Sequence, residues 1–319
     1  MHRSFAMKVL LTGATGFVGT RLAPRLIADG WSVRRAARHP PPARLGEEWV
    51  QLDVDRPETM GPALAGCRAA VYLVHRMAEA ADYEVRERAA AVAFGAAALA
   101  AGLERIVYLG GVEPSGPPSR HLRSRLETGA RLRASGVPTF ELRAAMIIGP
   151  DSLSFRIVRD LACRLPAMIL PRWLSSRSQP IDVSDVVHAI ATALELPIEL
   201  AGAWDLPGPE TLTAKEILLR IARSRGMRPL VVDVPVLTPH LSSLWLRLVT
   251  SADYKVAREL VDGLANDLVA RGQSFWDVAP PYALVPFDDA VRRALGAEAS
   301  TPTSRAVEHA IFRLSRHTA

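Results

Sequence analysis

The chain has little cysteine, little lysine and no long apolar run. Cys67 and Cys163 are its two cysteines, far apart, with no second cysteine or histidine at metal-ligand spacing. That excludes a disulfide framework and a structural zinc site, and predicts a reducing, cytoplasmic setting. Of 39 basic residues only Lys8, Lys215 and Lys255 are lysines; the rest are arginines scattered singly or in pairs. A net charge of +6 and a pI near 9.8 invite a nucleic-acid reading. No block of five or six like charges and no aromatic interleaving accompanies them, so nucleic-acid binding is not expected. The longest apolar stretch, Ala89 to Leu103, is alanine-dominated and holds Gly95 and Gly102, too short and small-sided to span a membrane. Residues 1–6 read as a short leader before Met7, with no room for a signal peptide ahead of the glycine loop. With 49% hydrophobic and 23% charged residues, 319 positions suffice for one large or two intimate globular domains.

Short apolar runs alternate with helical spacing. Strands are expected at Met7–Thr12, Trp31–Ala37, Trp49–Leu52, Ala69–Val74, Arg105–Leu109 and Thr139–Ile148. Helices are expected at Arg21–Asp29, Asp82–Ala101 and His121–Ala134, the first closed by Gly30. Such alternation predicts βαβ units: an α/β, doubly wound parallel sheet of Rossmann type. Beyond Pro150 a series of prolines breaks the pattern. The expected division is a dinucleotide-binding domain over 7–155, with a return segment at about 176–200. A smaller, mainly helical substrate lobe takes 156–175 and 201–319.

Thr12-Gly13-Ala14-Thr15-Gly16-Phe17-Val18-Gly19 joins the first strand to the first helix. Gly13 permits a tight turn, Gly16 lets the backbone approach a pyrophosphate, and Gly19 lets the helix pack close. The helix N-terminus then turns amides and positive dipole toward phosphate. The second strand ends Arg34-Arg35-Ala36-Ala37-Arg38, without the carboxylate that an NAD site uses on the ribose 2′-hydroxyl. Arg38 suits a 2′-phosphate, with Arg35 as a second contact, so NADP(H) is expected. No metal is expected.

These segments together resemble the extended and atypical short-chain dehydrogenase/reductases, including NmrA-like members. The likeness runs through Gln51-Leu52-Asp53-Val54, Ala69 to His75, Arg105 to Gly111, Leu142 to Pro150, and Gln179 to Val186, covering about residues 7–220. It implies cofactor contacts from Gly13, Thr15, Gly16, Phe17, Val18, Asp53 and Val54 (adenine), and Val74 and His75 (ribose). A homodimer is compatible with it. The family's Tyr-x-x-x-Lys pair is absent, since Ser4, Thr211 and Ser251 stand four residues before the three lysines. At the matching place stand His121 and Arg125, and Gly110-Gly111 replaces the usual serine or threonine. His121, as an ordinary imidazole titrating near ~6.5, is a candidate proton donor. Arg125 is a candidate fixed charge for ribose or substrate. The alternative is that His121 merely opens a helix. Glu113, Ser115 and Met146 are expected to line the crevice, and Asp185 to cap a helix. Trp173, Trp204, Trp245, Tyr254 and Trp276 are candidate aromatic walls for a planar or partly apolar substrate, or else core, with a helix over 237–250 at the pocket mouth.

The expectation is an NADP(H)-dependent oxidoreductase reducing a carbonyl or an activated double bond, a carbonyl first, of a planar or partly apolar small molecule. The competing reading is a non-catalytic NADP(H)-binding sensor or assembly factor.

Overall fold

The computed structural model describes residues 7–75, 82–164, 167–171, 175–227, 229–234 and 266–299. Its centre is a seven-stranded sheet. Strands β1 (Lys8–Leu11), β2 (Ser32–Ala37), β3 (Glu48–Gln51), β4 (Ala69–Tyr72), β5 (Arg105–Gly111) and β6 (Thr139–Ala144) stand in the order β6-β5-β4-β1-β2-β3, every pair parallel. The sheet is Rossmann-type, as the βαβ pattern implies.

Both faces are covered, which explains the unbroken apolar strands. Val9 and Leu11 face one core with Leu22, Ala23 and Leu26 of α1 (Gly19–Ala28). Leu10 faces the other, with Met60 of α2 (Met60–Leu64) and Ala91, Phe94 and Ala98 of α3 (Tyr83–Ala100). Gly30 ends α1 at φ +89°, donating its N–H to Ile27 O at 3.0 Å, while Trp31 N–H reaches Leu26 O at 2.9 Å. That pair of bonds is the Schellman pattern expected of a helix-ending glycine. Helix α4 (Arg120–Arg133) opens with Ser119, whose Oγ accepts from Leu122 N–H at 3.4 Å.

Past β6 the chain makes β7 (Ile147–Ile148), α5 (Leu153–Arg164), β8 (Ala167–Pro171), β9 (Arg177–Ser178), β10 (Ile181–Asp182) and α6 (Val183–Ala193). Then follow β11 (Gly202–Leu206), β12 (Leu212–Thr213), α7 (Ala214–Ser224), β13 (Leu230–Val234) and, after the undescribed stretch, α8 (Phe287–Ala299). Three short two-stranded pairings (β7 with β10, β9 with β12, β8 with β13) tie these segments together. A separate core holds the lobe: Phe155 and Val158 of α5, Ile217 and Ile221 of α7, Phe287 and Val291 of α8.

Two expectations change here. Strand β11 pairs in parallel with β6 as the seventh strand of the main sheet, so the return to the sheet runs to residue 206 rather than 200. Trp204, carried on β11, is therefore sheet core, with its Nε1–H on Leu200 O at 2.9 Å. And Asp182, not Asp185, caps α6: its Oδ1 accepts from Ser184 N–H at 2.7 Å. Asp185 is buried a turn further in, accepting from Tyr282 OH and Val285 N–H.

Candidate functional site

The loop between β1 and α1 is shaped by three short contacts. Thr12, fully buried, donates its hydroxyl to Val71 O at 3.1 Å and accepts from Leu73 N–H at 3.0 Å, locking β1 to the end of β4. Gly13 turns at φ +62° against Leu73, and Gly16 N–H closes the turn on Gly13 O at 2.9 Å. At Gly19 a Cβ would fall 2.2 Å from Gly13 O and 2.8 Å from Ala14 Cα, so only glycine lets α1 start here. Gly16 itself is exposed, and among the described residues the atom a Cβ there would meet is Gly13 O at 3.2 Å. An open cradle at a helix start fits a pyrophosphate.

From this cradle one cavity of about 360 Å³ runs across the carboxyl ends of β1, β4 and β5 to the start of α4 and α5. Gly13, Gly16, Phe17 and Val18 line one end; His121, Arg125 and Met146 line the other, with His75 and Gly111 between. His75 donates Nε2–H to Leu109 O at 2.9 Å, which leaves Nδ1 a buried acceptor without a partner among the described residues. Burial, then the Arg125 charge, hold its pKa well below the ordinary imidazole value. His121 is 8% exposed, and its Nδ1 is likewise unpartnered. Burial, then Arg125, lower its pKa to about 3. Arg125 follows one turn along α4, on the same face, with a buried Nε that has no partner among the described residues. These three side chains converge on the cavity with hydrogen-bonding capacity unspent, in a wall otherwise made mostly of apolar groups. Buried polar groups normally have partners, so unspent ones that face a cavity are available to a ligand.

Comparison with known proteins agrees with this geometry. Residues 13–157 match a family described as NAD(P)H-binding. A Streptomyces griseus protein, (4-alkanoyl-5-oxo-2,5-dihydrofuran-3-yl)methyl phosphate reductase, is 30% identical over 233 residues, 70% of this chain and 75% of that one. The chain belongs to this NAD(P)H-binding family. Ceramide reductase of Caulobacter vibrioides is 27% identical over 238 residues, 71% of this chain and 73% of that one. The triphenylmethane reductase of Citrobacter sp., solved with NADP(H), shares the fold with a TM-score of 0.70 at 20% identity, over 90% of this chain and 99% of that chain. A nicotinamide dinucleotide is thus the cofactor class, and reductase-type chemistry the activity class, of the relatives.

The chain lacks a Tyr-x-x-x-Lys pair, and its Gly111 is closely packed. A Cβ on Gly111 would fall 2.5 Å from Leu122 Cδ1 and 3.7 Å from Arg125 Cδ. Its absence lets α4 sit close to β5. Tyr108 is no substitute phenol: its OH donates to Arg125 O at 2.9 Å, and burial raises its pKa. The titrating imidazole expected at His121 is corrected by its burial; the group is neutral at pH 7.

Of the three arginines on or beside β2, two are engaged. Arg34 pairs with Glu48 at 2.6 Å and donates to Ala63 O and Ala65 O. Arg35 pairs with Glu47 and lies 5.7 Å over the Trp49 ring, so it is not a free second contact for phosphate. Arg38 is exposed and has no ion-pair partner among the described residues. Asp53 is half-buried after β3, its carboxylate accepting from Asp55 N–H at 3.1 Å. Val54 is buried in the core beneath, and Val74 packs on it. Thr15 is exposed at the loop tip.

Met146 lines the cavity as expected, but Glu113 and Ser115 do not. Glu113 is exposed, 3.6 Å from Arg143, and Ser115 Oγ accepts from Asp267 N–H at 3.1 Å. Trp276 packs beside Phe275 and Tyr282, its Nε1–H on Pro207 O at 2.8 Å, away from the cavity lining. Trp173, Trp245, Tyr254 and the 237–250 segment lie outside the described residues. Sequence reasoning missed Asp151 to Ser154, which line the cavity at the start of α5. Gly149-Pro150, a turn signal just ahead of a helix, was the available hint. Among the described residues no helix is long and apolar enough to cross a membrane.

Proposed function

We propose that the protein is an NADPH-dependent reductase that reduces the carbonyl of a partly apolar small molecule. The observation that carries this reading is the single cavity joining the glycine cradle to the unspent polar atoms of His121 and Arg125. When bound, NADPH supplies a hydride.

The amides of Gly13 to Gly19 would hold the pyrophosphate, Arg38 the 2′-phosphate, and Asp53 and Val54 the adenine edge. Val74 would flank the ribose, and the His75 Nδ1 acceptor suits a ribose hydroxyl. Arg125 carries a fixed charge to the oxygen where negative charge develops as the C=O electron pair moves onto it. His121, neutral at working pH, offers one N–H to the same oxygen and no exchangeable imidazolium proton. The proton that completes the alcohol therefore comes from water, and the chain's contribution is positioning and charge stabilisation. The mostly apolar wall around Met146 and Ile157 suits an acyl or planar hydrocarbon part. In keeping with that, one relative's name carries an alkanoyl group and the other's a ceramide. Two free cysteines, Cys67 buried, suit a reducing cytoplasm.

The experiment is a screen of acyl-bearing ketones and acyl lactones, following loss of the reduced nicotinamide absorbance with wild type and Arg125→Met. Turnover that falls about 10²-fold or more in the variant supports the assignment. NADPH binding with no turnover on any compound favours the sensor reading.

A further inference from the structure

Arg21 belongs to α1 and does not line the cavity, yet it touches two segments that do. Its Nη1 donates to Phe17 O at 2.7 Å, and its Nη2 donates to Pro150 O at 3.0 Å. The same Nη2 lies 3.4 Å from Asp151 Oδ2, and the guanidinium sits 4.7 Å over the Phe17 ring. That ring in turn packs on Gly149, where a Cβ would fall 2.8 Å from Phe17 Cζ. One side chain therefore bridges the carbonyl of the phosphate loop to the loop that opens α5.

The two carbonyl bonds matter more than the ion pair. The Asp151 side chain is 80% exposed, and such surface pairs contribute little. A charged donor on two backbone carbonyls gives stronger, more directional bonds. The far side of the same loop is anchored independently, since Ser152 Oγ donates to Ile147 O at 2.7 Å. Between these anchors Asp151 holds φ +71°, the one non-glycine with positive φ among the described residues. A side-chain-bearing residue persists there when its surroundings over-determine it. Phe17 and Asp151 to Ser154 all line the cavity.

We propose that Arg21 is a positioning residue that holds the Pro150–Ser154 wall in register with the phosphate loop, so that dinucleotide binding orders the substrate half of the cavity. The proposal rests on the nucleotide reading above. Phe17 lies between Gly16 and Gly19, so its carbonyl moves with the loop whose amides would face the phosphates. Engaging those amides leaves Phe17 O fewer orientations, and the Arg21 fork passes that restriction to Pro150. Coupling of this kind is reciprocal: an occupied substrate wall tightens the dinucleotide by the same factor.

Hydrogen exchange on the full chain, with and without saturating NADPH, tests this in wild type, Arg21→Met and Arg21→Lys. In wild type NADPH should slow exchange over residues 13–19, and also over 150–157 by about tenfold, within the usual range of coupling factors. In Arg21→Met, protection at 13–19 should persist with NADPH affinity changed less than about threefold, while the NADPH-dependent gain at 150–157 falls below about twofold. Arg21→Lys, reaching one carbonyl, should fall between. Should Arg21→Met prove unstable, Arg21→Gln gives the same comparison. A full NADPH-dependent gain at 150–157 in the variants overturns the proposal. So does an equal loss of protection there with and without NADPH, which marks a merely structural role. Absence of NADPH protection at 13–19 in wild type overturns the nucleotide reading, and this inference with it.

Discussion

Replacing His121 by glutamine removes one imidazole from the cavity and with it a specific dependence on pH. In the folded protein the group's pKa is lowered from 6.5 to about 3, first by burial and then by Arg125. A shift of that size corresponds to about 5 kcal/mol against the charged form, at about 1.36 kcal/mol per pKa unit. A depressed imidazole pKa means that the unfolded chain takes up a proton below pH 6.5 while the folded chain does not. The stability is therefore full above about pH 6.5 and is lost as pH falls toward about 3. At pH 5 the unfolded state has gained about 1.5 pKa units of protonation, so wild type should have lost about 2 kcal/mol through this residue. Urea unfolding of both proteins at pH 7.5 and pH 5 measures it. The wild-type loss should exceed that of His121→Gln by about 2 kcal/mol, and the His121 ring resonances should show no titration between pH 5 and 8. A His121 midpoint between 6 and 7, or equal acid sensitivity of the two proteins, would refute the burial argument and restore an imidazolium proton donor.

Three further outcomes are expected. Gly19→Ala puts a Cβ 2.2 Å from Gly13 O, an overlap with backbone that no rotamer relieves. It should cost about 1–3 kcal/mol in chemical denaturation as well as NADPH affinity, whereas Gly16→Val, whose Cβ meets Gly13 O less closely, at 3.2 Å, should lose NADPH binding in calorimetry at a smaller cost in melting temperature. Arg38→Ala should erase a preference for NADPH over NADH of at least about tenfold, about 1.4 kcal/mol; equal wild-type affinities would remove the 2′-phosphate assignment. Asp185 has a pKa raised to about 6, chiefly by burial, so its folded-state stability is present at low pH and lost as pH rises from about 4 through about 6. Asp185→Asn should therefore gain stability relative to wild type between pH 4 and 7 in thermal unfolding, and a constant difference across that range would contradict it.

The geometry of the glycine loop was legible because its reasons are local. The glycine spacing dictates which positions lack a Cβ, and Gly19 proves to be the one that backbone atoms would strike. Likewise, His121 and Arg125 are four residues apart on a helix, so they had to share a face. What stayed hidden depends on contacts distant in sequence. Glu47 pairs with Arg35 because β3 lies beside β2, and no local pattern marks that. Asp182 and Asp185 are both plausible caps in Ile181-Asp182-Val183-Ser184-Asp185; only the start of the helix decides between them. Strand β11 is five residues long between Pro197 and Pro207, and it reads as loop until β6 offers it a partner. Burial of the His121 ring is a property of the folded cavity, so its pKa could not be read from the sequence.

A crystal structure with NADP⁺ tests the account most directly. The account predicts the 2′-phosphate at Arg38, the pyrophosphate on the Gly13–Gly19 amides, and the nicotinamide C4 facing an open space bounded by His121 and Arg125. A dinucleotide bound away from the glycine loop, or a nicotinamide face covered by protein side chains with no room for a substrate, would contradict it.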